Sequence, residues 1–314
     1  MGFIQSERKS IEILRILREH REPVGAKRLS EIMAERGFVL SDRAVQYYLS
    51  YLDEQGFTRK IGNKGRILTP EGHTEIEHAL VDERVGYIIS KLERLAFRST
   101  LDPVTGTGDV SYNLSYVHEN DLERAEKVFA DVIGAGMSFF PKYSVIDNDP
   151  RIPADHVGII TVCSITMDGV LQNLGVPVRM AYGGTLQITG GVAEGFQDLV
   201  GYQGTTVDPL SLFIDAGLTS IYRAATDGTG VALANVREIP ATAQDQFEEM
   251  AQNMRELGFI FPVAAGSEVM GLFPVPFRHS IVAFSGMNLI GACVENGIVI
   301  QSEIGAGNIS LSRL

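Results

Sequence analysis

Tryptophan is absent from the 314 residues, and cysteine occurs only at Cys163 and Cys293. Two thiols exclude a disulfide framework, so reduced cysteines are expected. No apolar run reaches the ~18 residues of a membrane span. The start Met1-Gly2-Phe3-Ile4-Gln5-Ser6-Glu7 also lacks the basic and apolar regions of a signal peptide. Met1-Gly2 followed by Ser6 fits a myristoylation signal superficially, with nothing else pointing to an anchor. A cytoplasmic chain without a membrane partner is expected. Positive charge is scarce, 27 Lys and Arg against 39 Asp and Glu, for a net charge of −12. That balance excludes a surface that binds nucleic acid over its whole extent.

Catalytic signatures are missing too. There is no Gly-x-Ser-x-Gly elbow, His-Glu-x-x-His pair or CxxC motif. The glycine loops Gly183-Gly184 and Gly305-Ala306-Gly307 lack the third glycine or Lys-Ser/Thr of a phosphate-binding fingerprint. Cys163 and His156 lie seven residues apart, beyond hydrogen-bond reach along an extended strand, so they are a weak nucleophile and base. His73, Glu75, Glu77 and His78 resemble a metal cluster only superficially, because five-residue spacing on a helix does not superpose the two rings. The expectation is a protein that is not an enzyme, with no cofactor and no metal.

What is present is uneven. The length exceeds the roughly 100 to 200 residues of a typical domain, and 45% hydrophobic with 21% charged residues is ordinary globular composition. Residues 1–78 hold 13 basic and 12 acidic side chains, whereas the remainder holds 14 and 27. DNA contact therefore belongs to the first part.

That part reads as a winged helix-turn-helix. Ile11, Leu14 and Leu17, with Ile13 and Ile16 beside them, repeat at helical spacing over Arg8 to Glu19. Ala26 to Arg36 carries Leu29, Ile32 and Met33 on one face before Gly37 stops it, and a turn through Phe38, Val39 and Leu40 follows. Ser41 caps a third helix that runs to Gln55, with Gly56 as its stop. Val45, Tyr48, Leu49 and Leu52 face the core, while Arg43, Gln46, Tyr47 and Ser50 form the opposite row, suited to a major groove. Phe57 to Ile61 and Arg66 to Thr69 read as strands around Gly62-Asn63-Lys64-Gly65. The resulting wing offers Arg59, Lys60, Lys64 and Arg66 to phosphates. Such folds also serve as protein-interaction modules; double-stranded DNA is the favoured partner.

Pro70 to Phe97 turns helical again, with Ile76, Leu80, Val85, Ile89, Leu92 and Leu95 in a stripe that either pairs subunits or docks on its own chain. The body then repeats itself. Gly-Thr-Gly recurs at 106 and 228, Phe-Pro at 140 and 261, His at 156 and 279, and glycines at 175 and 297 and at 183 and 305. Five landmarks in order, about 120 residues apart, mark a duplication. The expected fold class is α+β: a head over 1–78, a connecting helix and linker over 79–103, and a duplicated α/β domain over 104–314, with halves of about 104–226 and 227–314.

Two junctions stand out, where strand Val157 to Cys163 enters helix Ile165 to Leu174 and strand Ser280 to Ser285 enters helix Met287 to Asn296. A helix N-terminus favours an anion such as a carboxylate. Cys163, Ser164 and Thr166 sit at the first, and Ser285, Gly286 and Asn288 at the second; simple caps and a small buried thiol are the plainer reading. Arg179 and Arg278, which have no basic counterpart in the other half, are the cations best placed for a carboxylate, with His156 and His279 beside strand starts.

The head of Ile11 to Gly72, followed by His156-Val157-Gly158-Ile159-Ile160-Thr161-Val162-Cys163 and Gly175-Val176-Pro177-Val178, resembles the archaeal nitrogen-regulation repressors called NrpR. The resemblance covers nearly the whole chain. It implies a homodimeric repressor on palindromic operators of nitrogen-assimilation genes, with 2-oxoglutarate as the small dicarboxylate effector that releases DNA. The family also holds headless chains, so a headless effector-domain protein is an expected partner. A ligand-responsive regulator of another pathway, an enzyme fused to a winged-helix head and a DNA-independent assembly module are the alternatives.

Overall fold

The first apolar stripe forms a helix longer than its periodic residues require, α1 over Gly2–Glu19. It buries Ile13, Leu14, Ile16 and Leu17. The computed structural model describes residues 2–20, 22–36, 38, 40–73, 76, 87–149 and 151–314, the side chains of 2–8 and 87 excepted. Gly37, Val39, Glu75, Glu77, His78, Leu80 and Val85 lie outside the described residues. The chain separates into two units, Met1–Val85 and Gly86–Leu314.

In the first unit α2 (Ala26–Glu35) buries Leu29, Ile32 and Met33, and α3 (Asp42–Glu54) buries Val45, Leu49 and Leu52. The Ser41 side chain accepts from the Ala44 N–H at 3.3 Å and caps α3. Gly56, with φ 78°, supplies the left-handed residue that ends it. Strands β1 (Thr58–Ile61) and β2 (Gly65–Leu68) pair antiparallel. Val24 exchanges two backbone hydrogen bonds with Arg66, each of 3.0 Å, adding a third strand segment. That approach requires glycine at 65, where φ is 129° and a Cβ would lie 2.3 Å from the Val24 carbonyl carbon. Ile76, read as part of the connecting stripe, belongs to this core.

The second unit opens with α4 (Tyr87–Arg98). Two copies of one motif follow: β3 (Asp109–His118), α5 (Leu122–Gly134), β4 (Tyr143–Ile146), β5 (His156–Val162), α6 (Ile165–Asn173) and β6 (Arg179–Thr189), then β8 (Gly230–Pro240), α9 (Gln244–Glu256), β9 (Ala264–Gly266), β10 (Arg278–Phe284), α10 (Met287–Glu295) and β11 (Ile300–Ser310). Between them stand β7 (Val192–Gly201), α7 (Pro209–Asp215) and α8 (Ile221–Asp227), which occur once. Each copy spans 81 residues, 109–189 and 230–310, so the spacing of about 120 is a shorter repeat plus an insertion.

The register corrects one landmark. His118 faces His156 as Pro240 faces Arg278, so His156 corresponds to Arg278, and Val157 to His279. Pairing His156 with His279 was one residue out of step, enough to move a side chain to the other face of the strand. The strand-entry turn agrees, since Asp155 and Phe277 share φ near 60° and their carbonyls accept from the residue that follows the facing strand, Glu119 after β3 and Ala241 after β8.

The copies are exchanged rather than side by side. The five-stranded sheet runs β7-β6-β8-β10-β9 and the four-stranded sheet β11-β3-β5-β4. The last strand of each copy thus pairs with the first strand of the other. Helices follow suit: α5 shares one apolar cluster with α10, and α9 shares the other with α6. In these clusters Cys293 takes the place that Leu171 takes in the first copy, which makes it a small core hydrophobe. Each fully buried aliphatic or aromatic side chain contributes about 1.5–3 kcal/mol. A surface ion pair such as Arg124–Asp121 adds about 0–1 kcal/mol, so burial sets this fold.

Candidate functional site

The head carries the polar row expected of it. Arg43, Gln46 and Ser50 are exposed along α3 and Tyr47 is 72% exposed, its ring edge-on to Tyr48, which is half-buried against the core. Arg59, Lys60 and Lys64 are exposed on the wing and make no ion pair among the described residues. Arg66 does not join them. Its Nε donates to Asp53 Oδ2 at 2.8 Å, and Thr58 Oγ1 donates to the other carboxylate oxygen at 2.6 Å. Arg66 therefore fastens the wing to α3 through one of its five N–H donors, with 15% of its side chain exposed.

In the second unit the first strand-to-helix junction is closed. Thr166 Oγ1 accepts from the Ser111 N–H at 3.1 Å and donates to the Ser111 carbonyl at 3.3 Å, so its hydroxyl ties α6 to β3. Asn288 does the same work at the second junction, accepting from the Leu233 N–H at 2.7 Å. These two are structural clamps. Ser164 Oγ accepts from Asn235 Nδ2 at 3.1 Å, and Tyr202 OH donates to Asn235 Oδ1 at 2.8 Å. Asp208, whose side chain caps α7, lies 3.3 Å from the same hydroxyl.

Beneath this network lies a pair that sequence reading missed. Arg237 on β8 and Asp168 on α6 are each 1% exposed, and Arg237 Nε donates to both Asp168 oxygens at 2.7 and 2.9 Å. The guanidinium carbon also sits 5.7 Å from the centre of the Tyr202 ring. Burial raises the Asp168 carboxyl above its ordinary value, with Arg237 pulling it back. Burial works against the Arg237 charge as well, yet Asp168 holds it above its ordinary value. The signal was legible in principle: a lone acid inside the apolar helix Ile165 to Leu171, and a lone base inside the apolar strand Gly230–Pro240.

Cys163 is buried, and burial pushes its thiol up to about 12. Burial thus favours the protonated thiol over the nucleophilic thiolate. Its neighbours matter more. Cys163 packs with Ile165, Met180, Tyr202 and three residues of α4, Leu92, Leu95 and Ala96. The described part of the connecting stripe, Ile89, Leu92 and Leu95, thus docks on its own domain. Lys91 Nζ donates to the Ile304 carbonyl at 2.8 Å and Asn308 Nδ2 to the Leu95 carbonyl at 3.2 Å, fixing the helix at its polar edge. The seat is tight, since a Cβ on Gly169 of α6 would come within 2.6 Å of the Ala96 oxygen.

The remaining candidates are dispersed. Arg179, 41% exposed, places Nη2 2.7 Å from Glu238 Oε2, and its buried Nε has no partner. Met180, the next residue, belongs to the Cys163 cluster. His156 sits at the far end of β5 from Cys163, edge-on to His118 with 5.5 Å between ring centres. Arg278 and His279 line an open cleft along α9 that includes neither Cys163 nor Arg179. Among the described residues, no cluster of His, Cys, Asp and Glu could hold a metal ion, and no helix is long and apolar enough to cross a membrane.

Comparison with known proteins gives this arrangement a context. Residues 85–314 match the NrpR regulatory domains NRD1 and 2, and residues 11–76 match the ribonuclease R winged-helix domain. The chain is 36% identical over 305 residues to the global nitrogen regulator NrpRI of Methanosarcina mazei, covering 95% of this chain and 94% of that protein. It is 29% identical to the global nitrogen regulator NrpR of Methanocaldococcus jannaschii over 94% of this chain but 52% of that protein. The Methanococcus maripaludis protein of the same name gives 29% over 91% and 51%, so the chain spans about half of those two relatives. A crystal structure of a nitrogen repressor-like protein of Methanococcus jannaschii superposes with a TM-score of 0.60 at 24% identity, over 72% of this chain and 96% of that one, which supports the fold. A regulatory-domain match over residues 85–314 and a relative aligned along nearly its whole length place this chain in the NrpR family.

Proposed function

We propose that this protein is a DNA-binding repressor of nitrogen-assimilation genes that leaves a palindromic operator when 2-oxoglutarate binds. The observation that carries the reading is the exposed row Arg43, Gln46, Tyr47 and Ser50 on α3, beside a wing with free cations, in a chain related to global nitrogen regulators. Arg43 contacts a base edge and the wing lysines contact phosphates. A homodimer sets two heads about 34 Å apart, one helical turn of DNA. A headless protein of the same family is a further partner to test.

The effector acts at Arg179, beside the first junction. A dicarboxylate that draws the half-exposed Arg179 from Glu238 disturbs Met180, which packs with Cys163 and α4. Movement of α4 then changes how the heads are presented. Such coupling is typically worth ~1–3 kcal/mol and is reciprocal, so operator DNA weakens effector binding by the same factor. The test is a gel-shift titration of 2-oxoglutarate on a palindromic promoter fragment at fixed salt, with succinate and glutamate as controls. Release by 2-oxoglutarate alone is expected, and Arg179→Ala should bind operator yet fail to release. Tight binding that ignores 2-oxoglutarate would remove the effector assignment, and loss of Arg43 without effect on the operator would remove the groove assignment.

A further inference from the structure

A cleft of about 900 Å³ lies along α9, lined also by residues of β9 and by the start of β10. His279 is 5% exposed at its wall, and its buried Nε2 has no hydrogen-bond partner. A buried polar atom without a partner is rare in a finished fold, and a ligand atom would complete it. Beside it stands Arg278, which makes no ion pair among the described residues, and Arg255, which spends one donor on the Phe261 carbonyl at 3.4 Å. The same cleft holds Asp245 and Glu249, both exposed and without an ion-pair partner among the described residues.

Neither fold nor repeat demands this set. The structural offset matches Arg278, His279, Glu249 and Arg255 with His156, Val157, Lys127 and Ile133 of the first copy. The acids at 245 and 248 are kept, as Glu123 and Glu126. The second copy has thus gathered two guanidiniums, the carboxylates of Asp245, Glu248 and Glu249, of which Glu248 accepts from Gln244, and an unsatisfied imidazole around one cleft, where its twin has none of the arginines. Charge of both signs decides the ligand class. A dicarboxylate would meet Asp245 and Glu249 across the cleft, and a plain cation would meet Arg255 and Arg278; like charges brought together oppose binding. A molecule that carries both a carboxylate and an ammonium satisfies both signs.

We propose that this cleft binds a free α-amino acid as its zwitterion, with the carboxylate at Arg278, the ammonium at Asp245 or Glu249, and a polar side chain toward His279. The site is separate from the Cys163 junction, and its test needs no DNA, so it stands or falls apart from the repressor reading. Equilibrium dialysis of the full chain against radiolabelled L-glutamine, L-glutamate, L-serine and L-alanine, with 2-oxoglutarate as the amine-free control, measures it directly. Saturable binding of at least one amino acid is expected, weakened about tenfold or more by Arg278→Ala and by Glu249→Gln, as for loss of one charge-assisted hydrogen bond. Arg43→Ala should leave it unchanged. Glu249 is exposed, so that variant keeps its fold and decides the matter even where Arg278→Ala melts early. Absence of saturable binding to any of the four, binding indifferent to both variants, or displacement of the amino acid by 2-oxoglutarate at equal concentration would each overturn the proposal.

Discussion

The two strand-to-helix junctions of the second unit share one backbone plan and have been covered differently. Gly169 in α6 and Gly291 in α10 occupy equivalent places, and each admits a helix at close range. Over Gly169 lies α4, the segment that continues toward the head in sequence. Over Gly291 lie Ile221 and Ile214 of the inserted helices. Below the covers the difference continues: Asp168 and Arg237 in the first setting correspond to Ile290 and Ser115 in the second. One junction is thus apolar and sealed by helices connected within the domain, while the other combines a buried charge pair with a cover that belongs to the connection. A duplicated fold supplies two seats, and different segments of the chain fill them.

The sharpest break of that contrast removes half of the charge pair. Arg237→Ala leaves Asp168 buried and unpaired, so the second unit should lose about 3–5 kcal/mol in denaturant unfolding. The joint change Asp168→Ile with Arg237→Met makes the first junction resemble the second and should be neutral or more stable. A double variant as weak as the single one would show that the pair does more than satisfy itself. The next effect compares covers. Ala at 169 meets the Ala96 oxygen and the Ser99 Cβ, both at 2.6 Å, whereas Ala at 291 meets the Ile221 Cδ1 at 2.5 Å, the movable end of a side chain. Both gain about 1 kcal/mol of helix propensity. Overpacking of about 1–3 kcal/mol should therefore leave Gly169→Ala destabilised and Gly291→Ala near neutral. Equal melting temperatures would break the distinction between a fixed and a yielding cover.

The smallest effect is the pH dependence carried by His279 of the second copy. Burial pushes the His279 imidazole below its ordinary range, with Glu248 pulling weakly upward. The unfolded chain then binds the proton more readily, so the contribution is fully present above about pH 6.5 and lost as pH falls through the lower folded value. His279→Gln should narrow the drop in melting temperature between neutral and mildly acid buffer. Val157, the first-copy counterpart, cannot titrate, so Val157→Ala should leave that drop unchanged.

Much of this was readable from spacing alone. The head's three helices and wing follow from apolar periodicity, Ser41 and Gly56, because caps and stripes are local signals. The two strand-to-helix junctions of the body followed from the same logic. Register did not, because two histidines one residue out of step look like a better match than His156 with Arg278. Strand exchange was hidden for a different reason: β6 finds β8, and β11 finds β3, through contacts distant in sequence that no pattern within either copy states. The site residues divided likewise. Arg43 and Lys64 stand exposed as their positions implied, Arg66 was taken by Asp53, and Arg237 went unseen because its partner lies on another element.

Strand exchange also bears on how such a domain arises. A solitary ancestor of one copy would carry a final strand with no place in its own sheet and an open edge on its first strand. Two such chains satisfy each other by swapping, which closes a symmetric pair at little cost in new contacts. Joining them end to end then replaces a concentration-dependent encounter with a tethered one. Once tethered, the two halves no longer had to stay identical, and the connecting segment, here β7, α7 and α8, became free to cover one seat and leave the other to a helix from outside the pair.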